Sequence, residues 1–65
     1  MKLKKILGLF RKDENLVIID ASTEMIFTSV ASVYLERKDL SNRHILAIEF
    51  SEEYNMLLIR IDPER

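Results

Sequence analysis

The side chains that could do chemistry in this chain are few and lie far apart in the sequence. His44 could exchange a proton near neutral pH with Asp39 or Glu49 as its partner. Only one histidine and no cysteine occur, so neither an imidazole cluster nor a thiolate site can hold a metal ion. Glu52 and Glu53 are adjacent carboxylates that could bind a cation, but this spacing is also typical of a solvated turn.

The serines and the single glycine do not complete a catalytic pattern either. Ser29 and Ser32 have no general base that the sequence places beside them. Gly8 is the only glycine, which leaves no glycine-rich loop to bind phosphate. The sequence therefore predicts a protein that is not an enzyme, with no cofactor, no metal site and no small-molecule substrate.

Charge is distributed unevenly along the 65 residues. The opening stretch, MKLKKILGLFRK, contains five cations and no acid, whereas residues 13–65 contain five cations and eleven acids. The net charge of −1 thus hides a basic segment followed by an acidic body. Such a segment can attract phosphate or anionic lipid, or it can pair with the acidic body of its own or a neighbouring subunit.

The same opening stretch has the apolar spacing of an amphipathic helix, predicted over residues 1–12. Leu3, Ile6, Leu7 and Phe10 recur at i, i+3, i+4 and i+7 and share one helical face. An isolated helix of this length is unstable in water, so the stripe must lie against its own protein, a membrane or nucleic acid. Because so small a chain without disulfides can spare little apolar burial, we expect the stripe to be structural.

Strand and helix signals then follow one another. The run LVII at Leu16–Ile19 predicts a strand buried on both faces and therefore central in its sheet. Residues 22–38 leave two alternatives. Apolar spacing favours one helix capped near Asp20, whereas the β-branched and aromatic content of IFTSVASVYL favours a turn at Ala21–Met25 and a long strand over residues 26–37. The helix is the preferred interpretation.

The clearest pattern is the pair of apolar runs in RHILAIEFSEEYNMLLIRIDPER, which predicts an antiparallel hairpin closed by Phe50 and Asn55. The face predicted to form the core contains Leu46, Ile48, Phe50, Leu57, Ile59 and Ile61. The opposite face receives Ile45, Ala47, Glu49, Met56, Leu58 and Arg60. That mixture is too apolar for solvent and too charged for an interior, so we expect something to cover it partly. Asp62 and Pro63 end the last strand.

These elements predict a single α+β domain with a basic amphipathic helix in residues 1–12, a core in residues 13–62 and a tail in residues 63–65. The preferred order is helix, strand, helix, strand, strand, with the first two strands parallel through a right-handed crossover. In that arrangement the opening helix covers the mixed face of the hairpin. The alternative is a helix followed by a four-stranded antiparallel meander.

Small size and an incompletely covered sheet face predict a protein-interaction or self-assembly module. We expect a homodimer, or a complex with another protein, because association stabilises small chains that lack disulfides. The candidate interaction residues are Lys2, Lys4, Lys5, Arg11, Lys12, Ile45, Tyr54, Met56, Leu58 and Arg60. A contact of the basic helix with a membrane surface is a further expectation that ranks below protein contact.

The alternative function is association with nucleic acid through the cations of residues 2–12 and a second basic cluster, Arg37, Lys38 and Arg43. A pI near 5.7 and the lack of an aromatic stacking platform place it lower. The apolar run ILGLF is shorter than the roughly 7–15 residues of a secretory signal, so we expect a cytoplasmic protein. Abundant Lys, Arg, Glu and Ile favour a thermophilic source.

Overall fold

The computed structural model describes residues 1–62, and the predicted tail with Pro63 lies outside the described residues. The elements along this part of the chain are α1 (Leu3–Leu7), β1 (Asn15–Asp20), β2 (Ile26–Val30), α2 (Ala31–Glu36), α3 (Lys38–Ser41), β3 (Ile45–Ser51) and β4 (Met56–Ile61). The predicted α+β class is confirmed.

The four strands form one mixed sheet in the order β2-β1-β4-β3. β1 pairs antiparallel with β2 and parallel with β4, and β4 pairs antiparallel with β3. The prediction that Leu16–Ile19 is a central strand is confirmed, because β1 lies between two strands and is buried from Leu16 to Asp20. Both predicted topologies are wrong: the sheet is not an antiparallel meander, and the parallel partner of β1 is the last strand.

Residues 22–38 do not form the single helix that the apolar spacing predicts. The chain turns at residues 21–25, continues as β2 and only then enters α2. The alternative turn is therefore confirmed, whereas the long strand over residues 26–37 is wrong. Tertiary contacts explain why this segment divides into a strand and a helix. Its β-branched part, β2, pairs with β1, whereas Ala31 and Tyr34 are spaced as one helical face and are buried in α2.

The helices lie on one face of the sheet and enclose the main core. This core combines Leu3 and Leu7 of α1 with Tyr34 of α2 and with strand residues such as Ile18 and Ile59, each at most 1% exposed. A smaller apolar cluster on the opposite face is built only from strand and turn residues. The domain therefore has two layers, helices on one side and a sheet on the other.

Tyr34 ties α2 to two strands. Its hydroxyl lies 2.8 Å from the carbonyl oxygen of Leu16 in β1 and 2.9 Å from that of Phe27 in β2. Burial raises the pKa of Tyr34 to about 12, so the phenol stays neutral and can donate its proton to these carbonyls. The contact fixes α2 to both strands of the β1–β2 pair and gives the buried hydroxyl of Tyr34 a hydrogen-bond acceptor.

The opening helix packs inside its own subunit. α1 ends at Leu7, earlier than the predicted helix over residues 1–12, and its buried side chains lie on the same sheet face as α2. Ile6 and Phe10 are partly buried against the same core. The apolar stripe is therefore structural, and the expectation that this helix covers the mixed face of the hairpin is wrong.

The closing hairpin forms, but its register differs from the predicted one by two residues. Ile48 lies opposite Ile59 rather than Leu57. The turn occupies residues 52–55 because Asn55 adopts a φ of 56°, a left-handed conformation that asparagine accepts more readily than most residues. Since side chains alternate with a period of two, a shift of two residues leaves each of them on its predicted face.

A β-bulge between Ile45 and Ala47 changes the position of two predicted residues. Ile45 lies opposite Ile61 and packs against the main core, so its predicted place on the mixed face of the hairpin is wrong. Leu46 lies in the bulge and is 58% exposed, although its spacing predicts a core residue.

Candidate interaction surface

β3 is an edge strand of the sheet and the most exposed of the four strands. Residues 46–50 are all exposed. They include three large apolar side chains, Leu46 at 58%, Ile48 at 45% and Phe50 at 60% exposure. An edge strand with unpaired backbone groups and exposed apolar side chains is a site where a further strand can pair.

β3 lacks most of the features that block such pairing. Its sequence, ILAIEFS, includes no lysine, arginine or proline, which often protect an edge. Its one charged residue, Glu49, pairs with Arg60 of the neighbouring strand β4, with Glu49 Oε1 and Arg60 Nε 3.4 Å apart. The bulge is the protective feature that remains, and it lies at the start of the strand.

The first residues of the chain pair with the outer edge of β3 at its start and leave the rest of that edge unpaired. Lys2 lies beside His44 as an isolated antiparallel bridge, and the N–H of Ile45 donates to the carbonyl oxygen of Met1 at 2.8 Å. The outer edge of β3 is therefore occupied as far as Ile45. Among the residues that the structure describes, nothing pairs with its outer edge from position 46 to position 50. We call residues 46–50 the free edge.

An open pocket of about 380 Å³ adjoins the free edge where β3 ends. Phe10, Phe50 and Leu57 supply apolar walls, and Glu14 adds a carboxylate. Phe50, which is 60% exposed, belongs both to the pocket and to the free edge. Apolar contact at this end of β3 can therefore extend beyond the strand itself.

The predicted interaction residues do not form one surface. The exposed cations of α1 and the segment around it are Lys2, Lys4, Lys5, Arg11 and Lys12. Tyr54, Met56 and Leu58 belong to the smaller cluster on the other face of the sheet, where Leu58 is only 7% exposed. Arg60 lies on that face in contact with Glu49. The mixed face of the hairpin therefore offers less apolar surface than the sequence predicts.

The exposure of β3 was not predicted from the sequence. Ile48 and Phe50 lie opposite Ile59 and Leu57, on the core face as predicted, yet they remain about half exposed because they lie at the margin of the sheet. The available signal was the run ILAI itself, which has more apolar residues than one buried face requires.

The carboxylates that the sequence offered for acid–base chemistry or cation binding pair with arginines or lie in an exposed turn. Asp39 Oδ2 lies 2.7 Å from Arg37 Nη2, and Glu49 pairs with Arg60. Both predicted carboxylate partners of His44 therefore form ion pairs with arginines instead. Glu52 and Glu53 are exposed in the β3–β4 turn. Within residues 1–62, no group of three or more His, Cys, Asp or Glu side chains is placed to hold a metal ion.

The second basic cluster is largely engaged inside the molecule. Arg43 is nearly buried against Asp20. Arg37 pairs with Asp39 and lies over the ring of Phe27, 5.1 Å from its centroid. These contacts weaken the case for nucleic-acid binding through this cluster.

A polar cluster joins three chain segments at the end of the sheet opposite the β3–β4 turn. Arg43 Nη2 lies 2.9 Å from Asp20 Oδ2, and the two side chains are 10% and 12% exposed. The hydroxyl and the backbone N–H of Ser22 donate to Asp20 Oδ1 at 2.6 and 2.9 Å, and Arg43 donates to the carbonyl oxygen of Asp62. Asp20 thus closes a turn at residues 20–24, where the start of a helix was predicted.

This cluster makes the stability of the fold depend on pH. The hydroxyl of Ser22, with further contributions from its backbone N–H and from Arg43, lowers the pKa of Asp20 from 3.8 to about 2 against the opposing effect of burial. Because the folded-state pKa lies below the unfolded one, the ionised carboxylate stabilises the fold above about pH 4, and this contribution is lost as the pH falls towards about 2.

We therefore expect Asp20→Asn to reduce the loss of stability between pH 4 and pH 2, since the variant has no carboxyl group to protonate at this position. Urea unfolding at the two pH values measures the effect. Asp13→Asn is the matched control, because Asp13 is 81% exposed in a loose pair with Arg11. An Asp20→Asn variant that loses stability as steeply as the parent would show that Asp20 does not carry this dependence.

No helix in the described part of the chain is long and apolar enough to cross a membrane. The free edge is the candidate that combines apolar exposure with unpaired backbone. Comparisons with protein-family models, with characterised proteins and with solved structures find no significant match.

Proposed function

We propose that this protein is a small, non-catalytic self-association module in which the free edge of β3 pairs with the same edge of a second copy. The observation that supports this is the run of five exposed residues, 46–50, with three large apolar side chains. One further strand satisfies the unpaired backbone and covers the apolar side chains. A two-fold dimer does so for both copies at once.

A second copy fits this edge because the two ends of the edge carry opposite charge. Lys2 lies beside the start of β3, and Glu52 and Glu53 lie in the turn after its end. Two β3 strands that run antiparallel place the acidic end of each copy beside the basic end of the other. The small size of the chain, 65 residues without cysteine, adds a reason for association to stabilise it.

Replacing Ile48 with lysine is expected to convert the dimer into a monomer, because a lysine at this position opposes pairing and removes an apolar contact. Ile48 is 45% exposed in the single chain, so the fold itself should tolerate the change. Light scattering at micromolar concentration should give twice the chain mass of 7.7 kDa for the parent and the chain mass for the variant.

Ile26→Lys is the matched control, because Ile26 is 50% exposed and lies on the opposite edge strand, β2. This variant should remain dimeric, and circular dichroism should show both variants folded. A monomeric parent, or an Ile48→Lys variant that stays dimeric, would contradict the proposal.

Association with nucleic acid through the exposed cations near α1 is the competing function. It requires binding that weakens steeply as salt rises. Submicromolar binding to a duplex or a single strand at physiological salt, by a parent chain that is monomeric, would favour it over self-association. The cytoplasmic location and the thermophilic source stay predictions from the sequence.

A further inference from the structure

We propose that the two β3 strands pair antiparallel about a two-fold axis that passes between Ile48 and its copy, an arrangement that rests on the self-association proposed above. The free edge is five residues long, and Ile48 is its midpoint. Met1 and Lys2 occupy the edge before it, and the chain turns soon after it ends. A symmetric pairing that uses the whole free edge must therefore be centred on Ile48.

The charges set the relative direction of the two strands. Parallel strands would bring Glu52 and Glu53 beside their own copies and Lys2 beside its own copy, which places like charges together at both ends. Antiparallel strands bring the acidic turn of each copy towards Lys2 of the other. The charges therefore favour the antiparallel direction.

The side chains restrict the register further. Residues directly opposite one another in an antiparallel pair point to the same face, so a two-fold axis always pairs one residue with itself. An axis at Glu49 would set two carboxylates directly opposite, which is unfavourable. An axis at Ala47 would require Ile45 to pair with the second copy, although its N–H already donates to Met1. An axis at Leu46 or Phe50 would leave only that one residue paired within the free edge. Ile48 is the position that remains.

This register covers the exposed apolar residues of both copies. Ile48 faces Ile48 of the second copy on the helix side of the sheet, and Leu46, which lies in the bulge, comes next to Phe50 of the second copy. Glu49 lies opposite Ala47 of the second copy and keeps its contact with Arg60 of its own chain. Joining the two four-stranded sheets produces one continuous eight-stranded sheet with all helices on one face.

Introduced cysteines report this register directly, because the parent chain has no cysteine. Opposing Cα atoms in an antiparallel pair lie about 4.5 or 5.5 Å apart, within the roughly 4.4–6.8 Å that a disulfide spans. In a glutathione redox buffer, Ile48→Cys should therefore form a covalent dimer by itself. Ala47→Cys and Glu49→Cys should each remain uncoupled alone and should form a covalent heterodimer when mixed.

Along an antiparallel pair of strands, residue pairs with closer and wider Cα spacing alternate. The Ile48 pair and the pair of Ala47 with Glu49 are neighbours, so the two cysteine tests sample both spacings. The two expected disulfides should form about tenfold faster than a disulfide in any of three controls, which are Ala47→Cys alone, Glu49→Cys alone and Ile26→Cys. In each control, the Cα atom of the cysteine lies beyond about 7 Å from its copy in this dimer, which is too far for a disulfide. Faster coupling of Glu49→Cys alone, in a parent that is dimeric by light scattering, would overturn the register and leave self-association intact. A parent that is monomeric by light scattering would overturn both.

Discussion

Replacing Leu7 with alanine is expected to lower the free energy of unfolding by about 2–5 kcal/mol, the cost of truncating a buried leucine. Leu7 is 1% exposed and packs in the main core, so the change leaves a cavity that the short helix α1 cannot close. A domain of 65 residues has a total stability of only about 3–10 kcal/mol. Thermal melts followed by circular dichroism should show a fall of more than about 10 °C.

Leu9→Ala is the matched control for this experiment. Leu9 lies two positions further along the chain and is 83% exposed, so the same truncation should move the melting temperature by no more than about 2 °C. A Leu7→Ala variant that melts like the parent but no longer sediments with anionic vesicles would contradict the structural role of α1. In that case the apolar stripe contacts a membrane.

Replacing Arg43 with methionine is expected to cost about 3 kcal/mol, the lower end of the range for breaking a buried ion pair. Methionine keeps much of the aliphatic volume but leaves the carboxylate of Asp20, 2.9 Å from Arg43 Nη2 in the parent, without its cation. The hydrogen bond to the carbonyl oxygen of Asp62, 2.7 Å from Arg43 Nε, is also lost. Ser22 continues to donate to Asp20, which limits the cost.

Arg37→Met tests whether burial, rather than pairing itself, produces this effect. Arg37 and Asp39 lie 2.7 Å apart, closer than Arg43 and Asp20, but their side chains are 44% and 51% exposed. Solvent screens such a pair, so urea unfolding should detect little change in this variant. Adding Asp20→Asn to Arg43→Met should recover part of the lost stability, because the uncompensated charge is then removed. Equal stability of Arg37→Met and Arg43→Met would contradict this interpretation.

Local sequence patterns by themselves determined the class of fold and the central strand. Leu16–Ile19 is apolar at every position, and a strand with this composition is stable only where both of its faces are buried. The packing of the apolar stripe of α1 in its own core was also predictable from the sequence. An isolated short helix is unstable, and the chain is too small to leave four apolar side chains unpacked.

Residues 26–36 show where local patterns were insufficient. Their apolar spacing fits a helix and their β-branched composition fits a strand, and the folded chain uses both, one after the other. Pairing of β2 with β1 decided the first half, and burial of Tyr34 decided the second. The hairpin register was missed for a related reason, since both registers place the same side chains on the same faces and the left-handed backbone of Asn55 selected between them.

Only the tertiary structure decided which strand became an edge. The segments ILAIEF and MLLIRI have similar apolar content, so neither one is marked locally as the inner strand of the hairpin. The parallel pairing of β1 with β4 places β4 inside the sheet and leaves β3 at its margin. The exposure of Leu46, Ile48 and Phe50 therefore follows from a contact between strands that are distant in the sequence, and a local pattern carries no information about such a partner.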